Sequence, residues 1–161
     1  MATLFKLIFL FFISLPAKAD TTVYFFEYRQ PDGSIFSFDK EGRFYHTALK
    51  YNNQFLEANP YFGVHLEPNI TKVGYLKAVL RSSKNIANLD QKITAQLGKK
   101  FDLYSKWDDP NSTQCSKLIG QIIGVKPVLF EDGSLTLSPD RLYNQLVKLG
   151  FKDCQTCLLH P

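Results

Sequence analysis

The chain changes its hydrophobic period about halfway along. From residue 21, "TTVYFFEY" is dense in β-branched and aromatic residues, and "QPDGS" closes it with turn formers. "RFYHTALKY" and "QFLEANP" read as two further strands separated by Asn52 and Asn53, a good tight-turn pair. "FGVHLEP" and "KVGYLKAVLR" extend the β region, the second with Val73, Tyr75, Lys77 and Val79 on one face. Then the spacing turns helical. Ile86, Leu89, Ile93 and Leu97 recur at intervals of three and four, with Gly98 as a stop. Leu118, Ile119, Ile122 and Ile123 form a second stripe that ends at Gly124. Ser138 as N-cap and Pro139 at the first helical position open a third helix, faced by Leu142, Leu146 and Leu149 and ended by Gly150. Strands first and helices later, without βαβ alternation, predict an α+β fold with a mostly antiparallel sheet.

The first nineteen residues stand outside this pattern. They carry one early lysine (Lys6), an apolar run over residues 7–15, the breaker Pro16, and the small-x-small run Ala17, Lys18, Ala19. That is the grammar of a secretory signal, and its apolar run is too short to span a bilayer. The expectation is therefore a leader over residues 1–19, one domain over residues 20–161, and an exported protein, periplasmic or secreted. No integral membrane association is expected once the leader is cut.

Charge changes the picture little. The formal net charge is +4, and Lys6 and Lys18 leave with the leader. The remaining basic residues are scattered, which argues against a nucleic-acid partner. There is no glycine-rich phosphate loop, and Asp108 and Asp109 have no partners at metal-ligand spacing, so no cofactor and no metal are expected. Asn69 and Asn111 each open a match to the glycosylation pattern, a short motif that arises often by chance. Nothing in the sequence speaks to the oligomeric state.

The cysteines say more. There are three, Cys115, Cys154 and Cys157. In an oxidising compartment the "CQTC" pair can close on itself or hold a metal, with a small terminal disulfide the favoured reading, and either way Cys115 is left odd. Cys115 sits where the polar run "DDPNSTQ" breaks into the second helical stripe, with Asn111, Ser112 and Thr113 all competent as N-caps. A helix start offers free N–H groups and the positive end of the dipole, which lower a thiol pKa and can hold an oxyanion. The competing reading is a buried, inert cysteine.

A thiolate needs a base, and the chain has three histidines, His46, His65 and His160. His160 stands beside the C-terminal residue. His46 is better placed. If Asn52 and Asn53 make a two-residue hairpin turn, Ala48 faces Glu57 and His46 faces Asn59, so all four share one sheet face. Glu57 or Asn59 could then orient the imidazole, the third role in a cysteine–histidine–acid or cysteine–histidine–asparagine arrangement.

In order and spacing, "FYHTALKY", "FLEANPYFGV", "LGKKFDLYSKWDD", "QCSKLIGQIIG" and "LSPDRLYNQL" resemble the circularly permuted, NlpC-type papain-like cysteine hydrolases, the YiiX/YaeF-like amidases and peptidases. The resemblance spans roughly residues 34–150. It implies a permuted papain-like fold, with a sheet packed against the helix that carries the nucleophile. It also implies Cys115 as nucleophile, His46 as general base and Glu57 as the orienting residue. The expected partner is a peptide or amide substrate, with cell-wall peptide (peptidoglycan) as the choice by analogy. Lys117 departs from the group, where a glutamate commonly follows the Cys-Ser pair. Two alternatives remain open. One is a lipid acyltransferase of the lecithin retinol acyltransferase type, with His65 in the third role. The other is a non-catalytic secreted binding domain.

Overall fold

A computed structural model describes residues 20–70, 74–129, 133 and 135–158. The expected leader, Thr71, Val73 and His160 lie outside the described residues. The chain runs through β1 (Thr21–Arg29), β2 (Ile35–Phe36), β3 (His46–Tyr51), β4 (Gln54–Asn59), β5 (Gly63–Glu67) and β6 (Tyr75–Ser82). It continues as α1 (Leu89–Thr94), β7 (Lys100–Phe101), β8 (Ser112–Thr113), α2 (Cys115–Ile123), β9 (Val128–Leu129), β10 (Leu135–Thr136), α3 (Pro139–Lys148) and β11 (Lys152–Asp153). The main sheet has the order β11-β6-β1-β3-β4-β5, with β2 on the end of β1, and its strand pairs are antiparallel. The fold is α+β with a mostly antiparallel sheet, as the change of period predicts.

The sheet is covered on both faces. On one, Val23, Phe25, Leu49, Leu56 and Leu80 pack against Leu118, Ile119 and Ile122 of α2 and Leu142 and Leu146 of α3. Burying each of these aliphatic side chains stabilises the fold by about 1.5–3 kcal/mol. Alternation sends Tyr24, Phe26, Ala48, Phe55 and Val79 to the other face, where the C-terminal turn with Cys154 and Cys157 lies over them. Those two cysteines form a disulfide, and Cys115 is the free thiol.

The helices match the sequence pattern unevenly. α3 starts on its expected cap: Ser138 Oγ accepts the Arg141 N–H at 3.2 Å, and Pro139 takes the first position. α2 ends at Gly124 in the left-handed region, φ 87°. α1 is a correction. The stripe from Ile86 to Leu97 predicts several turns, yet the helix holds only six residues: Asn88, left-handed at φ 55°, sets its start, and the chain passes into a turn over residues 95–98. Ile86 and Ile93 are buried, but Leu97 is 40% exposed, so only part of the stripe faces the core.

Gly63, at the start of β5, has φ +66°, and a Cβ there would come within 2.3 Å of the Lys99 carbonyl oxygen. That carbonyl accepts the Val64 N–H at 2.9 Å and docks the end of the α1 region onto the sheet. Gly63→Ala should therefore lower stability by about 2 kcal/mol, read as a lower urea midpoint with an unchanged slope. An unchanged midpoint would show that this close approach is not a constraint.

Candidate active site: a thiol, an imidazole and a carboxylate

The first half of the site is built by the β3–β4 hairpin. Asn52 adopts φ 54°, and the two-residue turn gives the pairs Leu49 with Leu56, Lys50 with Phe55 and Tyr51 with Gln54. This is the register read from the sequence, and it puts His46, Ala48, Glu57 and Asn59 on one face. His46 Nε2 donates to Glu57 Oε2 at 3.0 Å, with both side chains buried. Asn59, opposite His46 in this register, bonds the carboxylate instead: its Nδ2 donates to Glu57 Oε1 at 2.7 Å. Asn59 Oδ1 in turn accepts the backbone N–H groups of Tyr61 and Phe62, at 3.0 and 2.9 Å.

The second half is the start of α2. Its N-cap is Gln114, not one of the three shorter residues favoured by sequence, because Ser112 and Thr113 are drawn into β8 beside β7. Gln114 Oε1 accepts the Ser116 N–H at 2.9 Å and its hydroxyl at 2.8 Å, while Nε2 donates to the Leu137 carbonyl at 2.6 Å. Cys115 is the first helical residue, 5% exposed, with its thiol 3.6 Å from Gln114 Oε1. The His46 imidazole and the Thr47 backbone N–H are the neighbours that act on its sulfur. Since His46 Nε2 is held by Glu57, Nδ1 is the nitrogen left for the sulfur.

The electrostatics follow from this chain of contacts. Burial disfavours the Cys115 thiolate, but the charge and hydrogen bond of His46, the Thr47 N–H and the Ser116 side chain outweigh it and hold the thiol below its ordinary pKa. For His46, burial pulls the pKa down, and the thiolate and Glu57 together push it up to about 9. Burial likewise raises Glu57, and His46, Asn59 and His65 overcome it, so the carboxylate stays ionised more readily than usual. The three shifts run in the direction of a thiolate, an imidazolium and a carboxylate in sequence.

Of the other groups around the site, His65 is the sequence's alternative for the third role. His65 faces Glu57 across β4 and β5, its Nε2 3.2 Å from Glu57 Oε1 but off line for a hydrogen bond, while its Nδ1 lies 3.1 Å from the Gly63 carbonyl. It lies against the carboxylate, and Glu57 is the residue that bonds the imidazole of His46. Tyr45 lines the same cavity as Cys115. Burial first, then the negative charges of Cys115 and Glu57, push its phenol up to about 12, so it keeps its O–H.

Lys117 is the largest surprise. A lysine at that position suggests a solvated charge, yet the side chain is 1% exposed. Its Nζ has four acceptors: Ser105 Oγ at 2.8 Å and the carbonyls of Lys106, Asp109 and Ser112 at 2.5, 2.9 and 2.9 Å. Burial pulls its pKa below the usual lysine value, and the Asp109 charge works against that. The ammonium ties down the segment that leads into Cys115.

Among the described residues, no group of three or more His, Cys, Asp or Glu is arranged to hold a metal ion, and no helix is long and apolar enough to cross a membrane. No family model, curated protein or solved structure matches this chain. What the site can do rests on its own geometry.

Proposed function

We propose that this protein is an exported cysteine hydrolase, an amidase or peptidase on a permuted papain-like fold. The observation that carries the reading is a thiol at a helix start beside the His46 imidazole, which Glu57 holds by a hydrogen bond at 3.0 Å. The Cys115 thiolate attacks a carbonyl carbon, and the carbonyl electrons move onto oxygen. The Cys115 backbone N–H, at the start of α2, is the donor at hand for that oxyanion. As the tetrahedral species collapses, the imidazolium gives its proton to the leaving amine, and a thioester remains. Water then attacks with His46 taking its proton, and the thiolate departs with the acid released. Glu57 fixes the ring orientation and supports its positive charge throughout.

Alkylation of the native protein by iodoacetamide, followed by intact mass, tests this. Cys154 and Cys157 are joined, so a single adduct on Cys115 is expected. Because the Cys115 pKa is lowered, the rate should rise at a pH below that of an ordinary thiol and stay high above it. Hydrolysis should rise over the same range and fall as pH passes about 9, where His46 loses the proton that the leaving amine needs. A thiol no faster than free cysteine, titrating in the ordinary range, would sink the reading.

A further inference from the structure

The cavity over Cys115 has walls that the bond-breaking chemistry does not require. Its volume is about 630 Å³, in the range that encloses a small organic group. Three separate stretches bring apolar side chains to it: Phe36 and Phe38 from β2 and the residues beyond, Tyr61 and Phe62 from the β4–β5 turn, and Leu103 after β7. None of these five is part of the core; Tyr61 is 87% and Phe62 72% exposed. Phe36 and Phe38 stack edge to face at 5.3 Å, and Phe62 packs on His65 at 5.4 Å. Apolar side chains left open to water and gathered above a buried thiol form a binding wall.

Charge narrows the occupant. Among the described residues that line the cavity, the acids are Glu57 and Glu67, and none is a lysine or arginine. Glu57 is engaged by His46 and Asn59. The His46 imidazolium is already paired with Glu57, so a carboxylate on the substrate would meet Glu67 and find no other cation among the described lining residues, while an alkyl or aromatic group would bury itself against the walls.

Taking Cys115 as the nucleophile, we propose that the site selects substrates whose acyl group is apolar and uncharged, and discriminates against acyl groups that bear a carboxylate. A fatty acyl chain and an apolar peptide side chain share that chemistry. The acidic stem peptides of cell wall do not.

The test is a series of p-nitroanilides with acetyl, hexanoyl, octanoyl, N-acetylphenylalanyl and succinyl acyl groups, read as kcat/KM with the full protein. The rate is expected to climb about fourfold per methylene from acetyl to octanoyl until the cavity is full, with succinyl below acetyl. Octanoyl ahead of N-acetylphenylalanyl identifies a fatty chain as the source; the reverse order identifies a peptide side chain. Leu103→Arg should lower the octanoyl rate and raise the succinyl rate. A flat series, or succinyl equal to octanoyl, would overturn the proposal. Calorimetric titration of Cys115→Ala with hexanamide, octanamide and succinamate asks the same question without turnover. Octanamide should bind tighter than hexanamide by the same factor per methylene, and succinamate weaker than either. Selective octanamide binding with no hydrolysis by the wild type would retire the nucleophile and keep the apolar site; Cys115-dependent hydrolysis with a flat series would do the opposite.

Discussion

His46→Gln is expected to lower hydrolysis by about 10³-fold at pH 7 while leaving the fold intact. Glutamine is close in size to histidine and can still donate to Glu57, so the buried hydrogen bond survives. What disappears is a group that takes a proton from the thiol and returns it to the leaving amine. Two readouts separate this from simple damage. The iodoacetamide rate of Cys115 should fall back to that of an ordinary thiol, because the imidazolium that lowers its pKa is gone. The falling limb of activity near pH 9 should vanish as well, since it belongs to His46. Glu57→Gln should cost less, because an amide oxygen still accepts the Nε2 proton but no longer offsets the positive charge on the ring. Wild-type rates in His46→Gln would remove His46 from the mechanism.

Lys117→Met should be the most damaging single change to stability, at about 3–5 kcal/mol, although it exchanges a charged side chain for an apolar one of similar length. Methionine fills the volume but leaves the Ser105 hydroxyl and three carbonyls without the donor they share. These acceptors are spread over residues 105–112, so the loss falls on the segment that delivers Cys115 to the sheet. Chemical denaturation would show a large drop in midpoint, and the surviving native fraction should alkylate more slowly. A variant as stable as the wild type would mean that water replaces the ammonium without penalty.

Much of this was legible in the residues, and the parts that were not share a cause. The hairpin could be read because a two-residue turn ties the register of β3 and β4 to one parity, and parity alone decides which side chains share a face. The helix ends at Gly124 and Gly150 were legible because a left-handed residue there is a local requirement. The cap on α2 was not, because whether Ser112 and Thr113 cap a helix or pair with β7 depends on where β7 lies. Lys117 was hidden for the same reason: its four acceptors exist as a set only after residues 105–112 have folded around it. The apolar wall was hidden because Phe36, Tyr61, Phe62 and Leu103 are ordinary surface residues until the fold gathers them.

The hairpin has one more consequence, and it concerns time. His46 and Glu57 lie eleven residues apart on strands joined by a single tight turn, a unit of the kind that closes in about 1–10 μs. Cys115 comes from a helix far along the chain and reaches His46 only when α2 has docked on the sheet, a contact of the slow, non-local kind. Until then Cys115 has no imidazolium beside it and no Thr47 N–H against its sulfur, and it reacts like any cysteine in an open chain. On that order of events the thiol gains its lowered pKa only as α2 docks, and an incompletely folded copy is expected to carry the parts of the site without that shift.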